Sequence, residues 1–231
     1  MRISWIEQAK GLGILLVVFG HAWRGVEASG LAIPPNIFQA VDNAIYAFHM
    51  PLFFFLSGLF LVSSLNKRGR LNLVTVKITT IVYPYLLWSI LQGTIEVNLN
   101  SYTNAGINFS DVMLLLYQPR AQFWFLYALF MIFLLSVLIY QNYGKKFVAI
   151  IFVLSMLIYV CNQDIPNKFG LIYVMNYFVY FAFGVFFSFW KNHEMLGTKK
   201  AILILFLVFA IGQYILQNIG ILGDDHLRNA I

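Results

Sequence analysis

Two histidines stand where an apolar chain has least reason to keep them. His21 lies in a stretch without formal charge between Lys10 and Arg24, and His49 opens the run His49-Met50-Pro51-Leu52-Phe53-Phe54-Phe55-Leu56-Ser57-Gly58. An ionisable side chain inside a segment destined for lipid is a functional candidate by default. Lys10 precedes His21 by eleven residues, or about 16 Å along a helix. A cation at the cytosolic rim could therefore hold a phosphorylated ligand while the imidazole works deeper, on the ligand's reactive end. In a plainer account His21 donates to a carbonyl of a neighbouring helix and Lys10 only anchors the inner interface. Spacing alone leans towards the plainer one.

His49 raises a different chemistry. Pro51 removes a backbone donor, so a carbonyl one turn earlier is freed and the helix is expected to kink. A freed carbonyl beside an imidazole would make a polar pocket in hydrocarbon, or His49 would merely satisfy that defect. Depth counting sets His49 farther out than His21, and nothing in the spacing requires the two to meet. Ser57-Gly58 suits close packing of another helix better than nucleophilic work. The basic group Lys67, Arg68, Arg70 and Lys77 either sets topology or forms a landing surface for an anionic cofactor. Trp124, in Phe123-Trp124-Phe125-Leu126-Tyr127, fits an interfacial aromatic belt.

The elements that must position these residues follow from composition. The 231 residues are 61% hydrophobic and 10% charged, with a mean hydropathy of +0.78. A soluble domain carries roughly 25% charged residues, so lipid must be the solvent for much of the surface. Apolar runs broken by charges give seven expected helices, at 11–26, 41–65, 74–97, 123–140, 147–161, 170–190 and 201–219. The first is the weakest by hydropathy and the fifth is short. With the N-terminus inside, 11 of the 15 Lys and Arg residues face the cytosol and 4 face out, which is the positive-inside pattern. The net charge of +6 is thus topology, and no nucleic-acid partner is implied. Residues 112–117, within the outer loop 98–122, are too short to span and are expected on the membrane surface. A cleaved leader is disfavoured, because Glu7 falls in its basic region and Arg24 before the cut. Cys161 is the lone cysteine, so neither an internal disulfide nor a thiolate metal cluster is available.

The chain resembles the acyltransferase 3 family of membrane-bound O-acyltransferases, particularly the fucose 4-O-acetylase-like branch. A basic residue, ten residues and a histidine (Lys10 to His21) carry the first likeness. The others are the His49–Gly58 run, Pro84-Tyr85 in the third expected helix, and Phe123-Trp124-Phe125-Leu126, so that roughly the first 130 residues are covered. The resemblance implies an all-α polytopic transmembrane bundle, a single domain over 1–231, in the cell inner (plasma) membrane. It implies transfer of an acyl group, usually acetyl, from cytosolic acyl-CoA to a hydroxyl of a sugar or cell-surface glycan. Family members decorate surface polysaccharides, lipid-linked sugars and nodulation-type signals. Carried over, His21 is the general base, a task for which a neutral imidazole is suited. Lys10 and Lys77 would hold the CoA phosphates, and His49, Ser57 and Trp124 would line the acyl or acceptor site. No metal and no permanently bound cofactor is implied; acyl-CoA, the carbohydrate acceptor and the lipid bilayer are the partners.

Two departures stand out. The family usually has about ten spans, so this chain is expected to lack the last of them. Thr79 and Thr80 stand where the family often has a second basic residue before its proline, leaving Lys77 alone there. Two other functions remain open from the residues. A non-catalytic translocator of a glycan or lipid-linked sugar would also use buried histidines and a proline-broken helix, and an inactive truncated remnant would use neither.

Overall fold

The computed structural model describes residues 4–99, 108–119, 121–140, 144–161 and 169–189. Among them every regular element is helical: α1 (Ser4–Ala28), α2 (Pro35–Leu59), α3 (Leu61–Arg68), α4 (Arg70–Lys77), a π turn (Ile78–Val82), α5 (Tyr83–Asn98), α6 (Phe109–Met113), α7 (Trp124–Ile139), α8 (Lys145–Cys161) and α9 (Leu171–Ser188). Four stretches are long and apolar enough to cross a membrane: Pro35–Arg68, Arg70–Asn98, Phe109–Ile139 and Leu171–Ser188. They coincide with the expected spans at 41–65, 74–97, 123–140 and 170–190. The expected span at 147–161 forms a shorter apolar helix, and 201–219 lies outside the described residues.

The expected first span behaves differently. α1 has 25 residues, about 37 Å, which is length enough. It is not among the four because Glu7, Lys10, Arg24 and Glu27 lower its hydropathy. Its outer face is nonetheless apolar, with Leu12, Leu15, Val18 and Phe19 all exposed.

Four seams organise the bundle. α1 runs antiparallel to α2, with Ile6 packed on Leu56 and Leu59, Gly13 against Phe53, and Gly20 against Ile45 and Tyr46. The seven-residue spacing of Ile6, Gly13 and Gly20 puts all three on one helical face. α2 meets α9 closely: a Cβ on Gly58 would lie 2.0 Å from the Phe181 carbonyl oxygen, and one on Gly184 would lie 2.1 Å from that of Phe55. Any side chain at either position would drive the two backbones apart, so Gly58 is the close-packing site its sequence suggested. α9 also packs on α7, where Trp124 stacks on Tyr173 at 4.8 Å between ring centres, and on α8 through Phe152.

Two local features add detail to the helices. The helix that holds Lys77 widens into a π turn just before Pro84, with the Tyr83 N–H reaching back to Ile78 O. Proline one residue further cannot donate to the α-helical ladder, and a widened turn is one way the chain accommodates it. Residues 112–117, expected on the membrane surface, turn Val112 and Leu115 inward, where both are buried, and leave Met113, Leu114 and Leu116 exposed. The Tyr85 hydroxyl donates to the Leu115 carbonyl, which ties this segment to α5.

Candidate functional site

α1 and α2 bring five polar or aromatic residues into one place near the short connection 29–34. On α1, His21 and Arg24 are three residues apart, and on α2 Asp42, Tyr46 and His49 follow at intervals of four and three. Those spacings put each set on a single helical face. Arg24 grips Asp42 with two hydrogen bonds, Nε to Oδ1 at 2.6 Å and the second guanidinium nitrogen to Oδ2 at 2.8 Å. This fork-to-carboxylate geometry is the strong form of ion pair. The same guanidinium lies 3.5 Å above the Tyr46 ring centre, a cation–π contact. Tyr46 in turn meets both histidines edge to face, with ring centres 6.5 Å from His21 and 4.8 Å from His49.

The two imidazoles live in different surroundings. His49 is 1% exposed. Its Nδ1–H donates to Ile45 O at 2.7 Å, because a carbonyl oxygen can only accept. That bond fixes the tautomer and leaves Nε2 as the acceptor of a neutral ring. His49 therefore does not serve the carbonyl that Pro51 frees, which belongs to Ala47; it reaches one turn back instead. His21 is exposed, so its ring is open to whatever lies beside α1. The phenol between them is buried, and its hydroxyl has no hydrogen-bond partner.

The other end of α1 holds a cleft of about 310 Å³ lined by Trp5, Ile6, Phe60, Ser63, Asn66 and neighbouring residues. Lys10 does not line it but reaches one of its walls, with Nζ 5.7 Å from the Phe60 ring centre and 3.3 Å from Glu7. From Asn66 the chain passes directly into Lys67 and Arg68, both exposed. The cleft and His21 are separated by about 22 Å of helix, taking Ile6 as the inner mark. Between them the Phe53 ring lies on Gly13, 2.8 Å from where a Cβ would be.

With this geometry in view, the acyltransferase domain model matches residues 3–229. The chain belongs to the acyltransferase 3 family. Two curated relatives match part of it: nodulation protein NolL of Sinorhizobium fredii, 28% identical over 139 residues, and nodulation protein NolL of Mesorhizobium japonicum, 26% identical over 136 residues. The matched stretch is 55% of this chain in both cases, and 34% and 33% of the relatives. The chain thus spans about a third of the length of the curated relatives it matches. No solved structure matches it.

For an acyltransferase 3 protein, the sequence-derived residues do not all gather in one place. His21 and His49 come together around Tyr46, although depth counting had set them apart. Lys10 lies three turns from His21 on the same face of α1, at the cleft. Lys77 is elsewhere, half-buried at the end of α4 with Nζ 4.8 Å from the Phe133 ring centre on α7. Thr79 and Thr80, in the π turn beside it, spend their hydroxyls on backbone carbonyls of the preceding turn. Trp124 is 4% exposed and stacks within the α7–α9 core, so it is not part of a lipid-facing belt. Ser57 is half-buried next to the Gly58 contact.

Sequence reasoning missed Arg24, Asp42 and Tyr46. Arg24 entered only as the end of an uncharged stretch, an argument against a cleaved leader and a charge in the topology count, and neither Asp42 nor Tyr46 was given a role. The signal was present: opposite charges at the facing ends of two helices joined by a short connection, each spaced to share a face with a histidine.

Proposed function

We propose that this chain is a membrane O-acyltransferase that moves an acyl group, acetyl in the simplest case, from cytosolic acyl-CoA to a hydroxyl of a sugar or cell-surface glycan. One observation carries the reading: an exposed imidazole, His21, stands on the same helical face as Lys10 and three turns from it, and Lys10 lies against Phe60, which lines a cleft. His21 takes the proton of the acceptor hydroxyl as that oxygen attacks the thioester carbonyl. The carbonyl electron pair moves onto its oxygen and returns, the C–S bond breaks, and the departing thiolate recovers the proton from the imidazolium. Lys10 holds the phosphates of the donor, helped by Lys67 and Arg68, which follow the cleft residue Asn66 in the chain. Lys77 is a weaker candidate for that role, because its ammonium is turned towards α7. His49 lines the acceptor side, where Nε2 can accept from a sugar hydroxyl. Ser57 and Trp124 act from behind, as packing of the helices that form the site. The thioester is already activated, so the reading uses no metal.

Seven crossings with the N-terminus in the cytosol, in the inner (plasma) membrane, complete the reading. The asymmetric placement of basic residues supports that orientation. Membranes from cells making the full chain, supplied with acetyl-CoA labelled in the acetyl group, test it. Label should appear as ester on carbohydrate only when the protein is present. Label that never leaves CoA contradicts the reading, and glycan accumulating on the cytosolic side would favour a translocator instead.

A further inference from the structure

The Arg24–Asp42 pair is unusual among the described ion pairs. A second pair, between Lys10 and Glu7, is a local contact within α1, exposed and 3.3 Å long. Arg24–Asp42 joins two helices, has both side chains largely covered at 23% and 13% exposure, and engages through two bonds. Its placement is specific. Arg24 is three residues from His21 and lies on Tyr46, whose ring stands nearly perpendicular to that of His21 with centres 6.5 Å apart. The Trp23 indole adds a second tie between the helices by donating to Phe38 O at 3.3 Å. Because the Tyr46 hydroxyl is unpartnered, the ring is located by what stacks on it and not by its own hydrogen bond. Gly20 gives it room, since a Cβ there would come within 3.2 Å of that ring.

We propose that Arg24 and Asp42 are positioning residues: their ion pair pins Tyr46 against α1 and so fixes the direction in which the His21 imidazole points. This deepens the reading of His21 as the base and rests on it. An imidazole at the surface of a lone helix samples several rotamers, and a base must meet its proton within hydrogen-bond reach. The pair supplies the constraint through a planar fork, which a lysine would not reproduce. Neither residue needs to touch donor or acceptor.

The test uses the full chain in membranes with labelled acetyl-CoA. Asp42→Asn should lower kcat roughly 100-fold, the scale of loss from a misplaced reacting group, with KM for acetyl-CoA unchanged. Asp42→Glu, which keeps the carboxylate, should recover most of the rate at equal amounts of inserted protein. A wild-type kcat in Asp42→Asn, or a loss confined to KM, overturns the inference. The same holds if Asp42→Glu stays as slow as Asp42→Asn. A second readout does not depend on turnover: diethyl pyrocarbonate modification of His21, followed by mass spectrometry of its peptide. The modification rate should change in Asp42→Asn and return in Asp42→Glu; an unchanged rate overturns the inference. If the wild-type protein transfers no label, the catalytic reading falls, and the modification rates still decide whether the pair orients the ring.

Discussion

The seam between α2 and α9 and the seam between α1 and α2 use glycine for opposite ends. At Gly58 and Gly184 the missing Cβ lets backbone touch backbone, 2.0 and 2.1 Å from where a methyl would sit. Backbone cannot yield there, so sterics set how closely the two helices approach, with the Phe54–Tyr177 stack beside the contact. At Gly13 and Gly20 the space is filled by side chains of α2: the Phe53 ring, and Ile45 with Tyr46. Side chains can shift where backbones cannot. The first seam therefore has one arrangement, and the second needs polar contacts to choose among several. That is where Arg24, Asp42 and the two histidines are found. A rigid scaffold on one side of α2 and an adjustable, polar seam on the other is a division of labour suited to a site that must admit a ligand.

This comparison can be broken in three ways. Gly184→Leu should give the largest effect, on the order of 3 kcal/mol of stability or more, because overpacking meets a backbone carbonyl with no freedom to move. Thermal unfolding in detergent measures it, and a variant as stable as wild type would show that the α2–α9 seam can open. Lys10→Ala should raise KM for acetyl-CoA about 10-fold, equivalent to the loss of one charged contact. Thermal stability should be little changed, since its ion pair with Glu7 is exposed. An unaltered KM would remove Lys10 from donor binding. Tyr46→Phe should do least, changing stability by less than about 1 kcal/mol in either direction, because it deletes a buried hydroxyl that satisfies nothing. A drop well beyond that would mean the hydroxyl has a partner in the folded protein.

Much of the α2–α9 seam was legible in the sequence, and little of the α1–α2 seam was. Hydropathy finds helices because a lipid-facing residue and a core residue are both apolar, and the run containing Gly58 announced a close contact by its small residues alone. The same equivalence hides which side of a helix faces protein. Trp124 looked like a belt residue because an aromatic suits both an interface and a core, and only the stack on Tyr173 separates them. That Val112 and Leu115 face inward while Leu114 and Leu116 do not was not legible, because length, not direction, was the available signal. The site was half visible. A histidine in an apolar stretch draws attention by its cost, whereas Arg24 and Asp42, near helix ends, are what topology already requires. His21 and His49 meet because antiparallel pairing places residue 20 opposite 45 and 46, a register that no count of depth within a single helix contains.

The central claim is that the His21 ring removes the proton from the acceptor hydroxyl. Substituting His21 by alanine and following acetyl label from CoA into carbohydrate ester, at matched levels of membrane-inserted protein, tests it most directly. The account predicts a fall of about 1,000-fold, the usual contribution of a general base. Ester formation at the wild-type rate would contradict it.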